Sequence, residues 1–258
     1  MHELPLVFFT VFGQAAVGIF LLSLLAFSAK QISSEQLKLA NIIATALLAI
    51  GSAIGGLHMG QPLRALNLLA GLGRSPMSNE IILSGIFMAF AGATALLSLI
   101  GSKESLRKLC NVFAVVSGLL FAWSITQVYQ LETVASWNTL HTSLQMWLTV
   151  VLVGGAFAVM TGAHKVGTVA IIGGVLVSLV TKPDYIGFVT QQAPELAVQQ
   201  YTLWGIQAVM LVIAAAVCLV TLMRKETMKP LIIGGAAVVL VSELLGRIAF
   251  YNLWAIPM

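Results

Sequence analysis

Along this chain, apolar runs of about 20 residues alternate with short polar breaks, and the pattern continues from one end to the other. A helix rising 1.5 Å per residue needs a run of that length to cross the hydrocarbon layer of a bilayer. Eight such runs are predicted, at 5–28, 40–59, 79–101, 109–131, 144–163, 166–182, 201–223 and 230–251. The sixth is the shortest. The runs are continuously apolar rather than alternating, which excludes strands, since a lipid-facing sheet would have to close into a barrel to satisfy its backbone. The predicted fold is therefore all-α: one polytopic integral-membrane domain, 1–258, of eight transmembrane helices. Residues 163–167 leave so short a connection that spans five and six must form an antiparallel hairpin. Gly51 with Gly55, and Gly56 with Gly60, supply small-residue spacings at which neighbouring helices approach closely.

Composition supports the same class: 59% hydrophobic and 9% charged residues, with a mean hydropathy of +0.99, are too much apolar surface for one soluble core. Orientation follows from the basic residues, which cytoplasmic loops retain. Lys30, Lys38, Lys103, Arg107, Lys108, Lys165, Arg224, Lys225 and Lys229 fall in the odd loops; Arg64, Arg74 and Lys182 fall in the even ones, and Arg247 lies inside the last span. Both termini are thus expected on the side away from the cytoplasm. The pI of 9.2 is explained by these anchors and calls for no nucleic-acid partner. Glu3, Glu80, Glu132, Asp184, Glu195 and Glu243 lie toward the outer side, a polar face suited to a water-soluble partner. No basic residue precedes Lys30, so the first run reads as a retained helix rather than a signal peptide. Cys110 and Cys218 are far apart and read as packing residues, with no spacing for a cysteine-ligated cluster or zinc.

Against this background the stretch GGLHMGQPLRALNLLAGLGRSPMSNEI, 55–81, stands out. His58 ends span two, where Gly60 and Pro62 stop the helix. Residues 63–72 are too short to cross the bilayer and carry Arg64 and Asn67 among apolar side chains, the pattern of an interfacial helix lying over the bundle as a lid. Ser78 is the expected N-cap of span three, which places Glu80 in the first turn, where the helix dipole favours a negative charge. In span eight, SELLGRIAFY sets Glu243 and Arg247 four residues apart on one face, in the outer half of the bilayer. Charges there cost about 2.5–3.5 kcal/mol each at mid-bilayer, so both are expected to point inward and pair.

Each group has a structural reading, Glu80 as a helix-end charge and the Glu243–Arg247 pair as a lock between helices, beside a functional one. The functional reading draws on convergence: His58, Arg64, Glu80, Glu243 and Arg247 all fall on one side of the membrane at similar depth. An imidazole titrating near pH 6.5 beside a carboxylate suits the removal of protons from a lipid-soluble diol as it loses electrons. Trp123, Tyr129 and Phe250 are candidates for packing its ring, and Gln14, Gln127 and Gln130 are further candidates for lining the pocket.

HELPLVFFTVFGQ, LHMGQPLRALN, SNEI and SELLGRIAFY together resemble the membrane anchor subunit of bacterial dimethyl sulfoxide reductase, and the likeness extends over essentially the whole chain. The sequence departs from the family pattern at Leu4, where tryptophan is common. The resemblance implies a haem-free, metal-free subunit of the bacterial inner membrane that oxidises menaquinol during anaerobic respiration. It also implies partners on the periplasmic side: an iron-sulfur subunit with four [4Fe-4S] clusters and a molybdopterin catalytic subunit that carries the terminal reduction. By the same resemblance the family's quinol-site histidine and glutamate fall on His58 and Glu80; Arg64, Glu243 and Arg247 join the quinol-binding set from their placement. Protons released and consumed on one side would leave no charge moved across the bilayer.

Rival classes are a proton- or ion-coupled transporter, which needs polar groups in both halves of the bilayer, and a b-type haem anchor, which needs paired axial histidines from among His2, His58, His141 and His164. An anchor for a related S-oxide or N-oxide reductase is a third. The orientation has its own check: alkaline phosphatase fused after residue 258 is expected to be active and a green fluorescent protein fused there dark. The opposite pattern overturns the charge-based topology.

Overall fold

The structure, a computed structural model, describes residues 3–57, 62–101, 104–223 and 229–254, with the backbone alone for 62–66. His58 lies outside the described residues, and the Arg64 side chain with it. All long elements are helical: α1 (Leu4–Ser28), α2 (Ser34–Gly56), α3 (Pro76–Leu99), α4 (Glu104–Tyr129), α5 (Leu140–Met160), α6 (His164–Gln192), α7 (Pro194–Met223) and α8 (Lys229–Tyr251), with a 3-10 helix over Pro62–Gly71. Each of the eight is long and apolar enough to cross a membrane. α1 begins and α8 finishes at one end of the molecule, called here the near end; the α1–α2, α3–α4, α5–α6 and α7–α8 connections lie at the far end.

The helices form two rings of four. α1, α2, α3 and α4 each pack on their chain neighbours, with α1 closing onto α4; α5 to α8 do the same, with α5 closing onto α8. The rings meet mainly along α1 and α5, with α8 also reaching α1. No repeated motif in the sequence announces this four-plus-four arrangement. Small residues set the junction. A Cβ on Gly18 would strike the Val150 carbonyl oxygen and come within 2.9 Å of the Gly154 Cα, so the two backbones lie in direct contact there. Gly51 and Gly55 are pressed against Phe12 and Phe9 of α1, as their spacing predicts, whereas Gly56 faces open space. α1 is consequently the most enclosed helix, with Val11, Ala15, Ala16, Ile19 and Phe20 fully buried. Outward faces carry Leu96, Val116, Leu120, Val180 and Val209, an apolar exterior that a bilayer accommodates.

Helix ends differ from the sequence expectation where hydropathy and helicity part company. α2 starts at Ser34 rather than 40, because Ser33 and Gln36 form a reciprocal capping box (2.8 and 3.2 Å) ahead of the apolar run. α6 runs to Gln192 and α7 starts at Pro194, so the expected loop over 183–200 is helical except at Ala193. Pro183 sits inside α6. At 29 and 30 residues these helices are about 43 and 45 Å long, against a hydrocarbon core of about 30 Å. α3 starts at Pro76 with Ser75, not Ser78, as its N-cap. Glu80 therefore lies beyond the first turn, and the helix-end reading of its charge loses its geometric basis.

At the far end, Arg107 donates to Ser34 Oγ (2.6 Å) and the Val166 amide donates to Gln31 Oε1 (3.2 Å), tying the helix starts together. Cys110 is half-buried and Cys218 buried. The backbone contact of α1 with α5 makes a specific demand on stability. Gly18→Val is expected to destabilise the protein by about 1–3 kcal/mol, read as a fall in the detergent melting temperature. Gly92→Ala, whose Cβ meets nothing within 4 Å, is expected to leave it unchanged.

Candidate functional site

The polar side chains of the near half fall into two groups that share a border. The first surrounds Glu80, which is 5% exposed, with Oε1 lacking a hydrogen-bond partner among the described residues. The 3-10 helix packs against α3 beside it, and its far side is fixed where Asn79 Oδ1 accepts from the Gly73 amide (2.7 Å) and Arg74 donates to the Ala70 carbonyl (2.7 Å). The Glu80 carboxyl is within electrostatic reach of the phenols of Tyr129 and Tyr251, and so is the Arg247 guanidinium. Tyr251 donates to Tyr129 Oη at 2.5 Å, joining the last turn of α8 to the last turn of α4 and hence one ring to the other.

An aromatic cluster holds that phenol pair. Trp137 stacks on Phe250 (5.0 Å, 15°), and Tyr129 meets Trp137, Phe250 and Tyr251 edge-on at 5.4–5.7 Å. The α4–α5 connection is sewn to the end of α8: Trp137 Nε1 donates to the Phe250 carbonyl (3.0 Å) and Ser136 to the Leu253 carbonyl (2.8 Å).

The second group fills the interior of the α5–α8 ring. Glu243 and Arg247 both face inward, 5% and 4% exposed, but no direct ion pair forms between them. The Thr149 hydroxyl stands between the two, donating to Glu243 Oε2 (2.6 Å) and accepting from Arg247 Nη2 (3.1 Å). Arg247 also donates to Gln14 Oε1 of α1 (2.6 Å) and touches Met146 Sδ. On its other side, Glu243 Oε1 accepts from Gln207 Nε2 (3.2 Å), whose Oε1 accepts from Lys182 Nζ (2.9 Å). One carboxylate and two basic groups thus share a network drawn from five helices. Beside it lies a cavity of about 20 Å³ lined by Gln145, Lys182, Gln207, Glu243 and Arg247, and a second of about 10 Å³ reaches from Lys182 to His141 and Tyr185. These are spaces for single waters, not for a quinone ring.

Of the residues singled out in the sequence, Tyr129 and Phe250 pack together in the aromatic cluster, with Glu80 within electrostatic reach of the phenol pair, and Gln14, Glu243 and Arg247 come together around Thr149. α3 and α8 are not packed neighbours; α8 reaches the first ring by packing on α1 and through the Tyr251–Tyr129 hydrogen bond to α4. Trp123 is 50% exposed on the outer face of α4 and takes no part. Gln127 bonds Thr126 (3.2 Å) and Gln130 the Thr139 carbonyl (3.4 Å), neither to a member of the two groups. Lys182, counted as a loop anchor from the sequence, is in fact 8% exposed inside α6. Its signal is the stripe Ile171, Val175, Ser178, Lys182, Tyr185, Val189, a helical period legible only once α6 is taken past Pro183. Gln207 belongs to the matching stripe Gln200, Trp204, Gln207, Leu211 of α7. His141 pairs with Asp184 (3.1 Å) at the near end, while His164 begins α6 at the far end. Among the described residues no three His, Cys, Asp or Glu side chains come together as a metal site.

A multi-pass helical membrane protein with a buried acid and phenol group at one end is the class this arrangement defines. The chain matches the family model of the DMSO reductase anchor subunit (DmsC) over residues 1–253, and it belongs to that family. It is 33% identical to the anaerobic dimethyl sulfoxide reductase polypeptide YnfH of Escherichia coli K12 over 270 aligned residues, covering 98% of this sequence and 95% of that one. The C subunit of the E. coli K12 anaerobic dimethyl sulfoxide reductase is 29% identical with the same coverage. Its counterpart in Haemophilus influenzae Rd is 36% identical over 60% of this sequence and 56% of its own. No solved structure matches.

The Thr149 bridge has a measurable role. Thr149→Val, which leaves two buried charged groups short of a partner, is expected to cost about 1–3 kcal/mol. Thr190→Val, which removes only a bond to the Ile186 carbonyl of its own helix and a contact with Tyr201, is expected to cost under about 0.5 kcal/mol. Thermal melts of the solubilised protein compare the two.

Proposed function

We propose that this protein is the quinol-oxidising membrane anchor of a dimethyl sulfoxide reductase complex. The near end faces the periplasm and carries an iron-sulfur subunit with four [4Fe-4S] clusters, joined to a molybdopterin catalytic subunit. Menaquinol enters from the bilayer beside α3 and the 3-10 helix. Its oxidation releases two electrons, which pass to the iron-sulfur subunit, and two protons, which His58 and Glu80 accept. Arg64 steadies the carboxylate. Arg247 lies within electrostatic reach of the Tyr129–Tyr251 pair and offsets negative charge that develops there, and Glu243 balances part of its charge through Thr149.

The observation that carries this reading is the buried Glu80 carboxyl, one oxygen of which has no hydrogen-bond partner among the described residues, within electrostatic reach of two linked phenols in a member of the anchor-subunit family. A buried acceptor left without a donor costs free energy unless a ligand supplies one, and a quinol hydroxyl is such a donor. A transporter would need the polar network of the second ring to continue into the far half. There the facing residues include Ala156, Val159, Ile171, Cys218, Ile232 and Ala236, and the hydroxyl of Thr221 is bonded back to the Cys218 carbonyl of its own helix.

His58→Leu and Glu80→Gln in the assembled complex are expected to lower turnover driven by a quinol analogue by about 100-fold or more. Turnover driven by a reduced dye that feeds the iron-sulfur subunit directly is expected to survive. Equal loss of both activities, or loss of neither, contradicts the assignment.

A further inference from the structure

We propose that the interior of the α5–α8 ring is a proton-exchange site in which Lys182 passes a proton, through the water-sized cavity it shares with His141, to the His141–Asp184 pair at the near end. The inference rests on the reading that quinol is oxidised beside Glu80.

Charge is the first ground. Lys182, Arg247 and Glu243 are all buried in one network, so with every group ionised it holds one positive charge in excess within the membrane span. An uncompensated buried charge is costly; ionised Glu80, in the field of the same phenols as Arg247, offsets this one, and once Glu80 is protonated the network relieves the excess by releasing a proton. A guanidinium does not release one, but an amine does. Lys182 is therefore the group that exchanges.

Access is the second. An ammonium has three N–H donors, and Lys182 spends one on Gln207 among the described residues. Both cavities open on its side chain. The second is lined by His141, Gln145, Thr181 and Tyr185 as well, and His141 Nε2 lies 3.1 Å from Asp184 Oδ2 on a side chain that is 82% exposed. The ionisable groups around Lys182 are His141 from α5, Asp184 and Tyr185 (ring centroid 5.8 Å from Nζ) from α6, and Glu243 and Arg247 from α8; α7 contributes the neutral Gln207. In the exchange, the ammonium gives one proton to a cavity water, leaving a neutral amine and a hydronium. The hydronium proton passes to the His141 imidazole and then to solvent beside Asp184.

Coupling to the quinol site is electrostatic. Arg247 lies in the field of both phenols on one side and of Glu243 on the other. A proton arriving on Glu80 adds one positive charge to that field, and the proton leaving Lys182 removes one. When Glu80 later empties, the amine refills from the near end.

Three variants in the intact complex test this, with dye-driven turnover as the measure of assembly. Lys182→Arg keeps the charge but cannot release a proton, and is expected to lower quinol-driven turnover about tenfold or more while dye-driven turnover is unchanged. His141→Ala is expected to slow quinol-driven turnover and, unlike the loss of a structural contact, to be restored by imidazole in the buffer. Wild-type quinol-driven rates in Lys182→Arg, or a His141→Ala that is either not slowed or not restored by imidazole, overturn the exchange site. If Lys182→Arg fails to assemble, the imidazole experiment decides alone. Glu80→Gln, assayed alongside, separates the two ideas: its inactivity with unaffected Lys182 and His141 variants removes only the exchange site, whereas its full quinol activity removes the quinol reading and the exchange site together.

Discussion

One guanidinium within the membrane span organises the near half of this protein. Arg247 can be buried only where oxygen and sulfur acceptors meet it, and they come from two other helices: Gln14 of α1, and Thr149 and Met146 of α5. Satisfying it fixes the rotation of α8, places Glu243 against Thr149 and Gln207, and draws α1 into contact with the second ring. The close backbone approach at Gly18 and Gly154 serves the same end, because a larger residue there would hold α1 away from α5. Apolar packing supplies most of the buried area, but it does not select one rotation of a uniformly apolar helix; the polar contacts do.

From that arrangement come two polar sites with different openings. The group around Glu80 lies at the end of the first ring, where a carboxyl oxygen without a partner among the described residues and the Tyr129–Tyr251 pair suit a ligand that both donates and accepts hydrogen bonds. The group around Glu243 is internally bonded and encloses only water-sized space. On the proposed reading, one subunit keeps the chemistry of a bulky lipid-soluble reductant apart from the movement of protons, while Arg247 and the phenols keep the two in electrostatic contact. Both lie toward the end expected to face the periplasm, consistent with a module that moves no charge across the bilayer.

Much of this was legible in the sequence, for physical reasons. Hydrocarbon thickness dictates run length, so eight helices, their order and the α5–α6 hairpin followed from counting apolar residues. Gly51 and Gly55 announced the α1–α2 contact by their spacing. Inward-facing Glu243 and Arg247 followed from the cost of charges in lipid, yet their connection through Thr149 did not, since nothing in a sequence distinguishes a bridging hydroxyl from one bonded to its own helix. The α6–α7 hairpin was misread because Lys182, Pro183 and Asp184 resemble a loop, and a hydropathy run measures the membrane rather than the helix. That error hid Lys182, whereas Gln207 fell inside the predicted seventh span and went unremarked. Ser75 outcompetes Ser78 as the cap because Pro76 fits the first helical position, which moved Glu80 out of the first turn.

The central claim is that a quinol binds at the near end beside Glu80. The most direct test is photo-crosslinking of the complex with a photoreactive menaquinone analogue, followed by mass-spectrometric mapping of the labelled peptides. The account predicts labels on the connection between α2 and α3, on the first turns of α3 and on the last turn of α4 or α8, all competed by unlabelled menaquinone. Competed labels confined to the far end, or to the outer faces of α6 and α7, would contradict it.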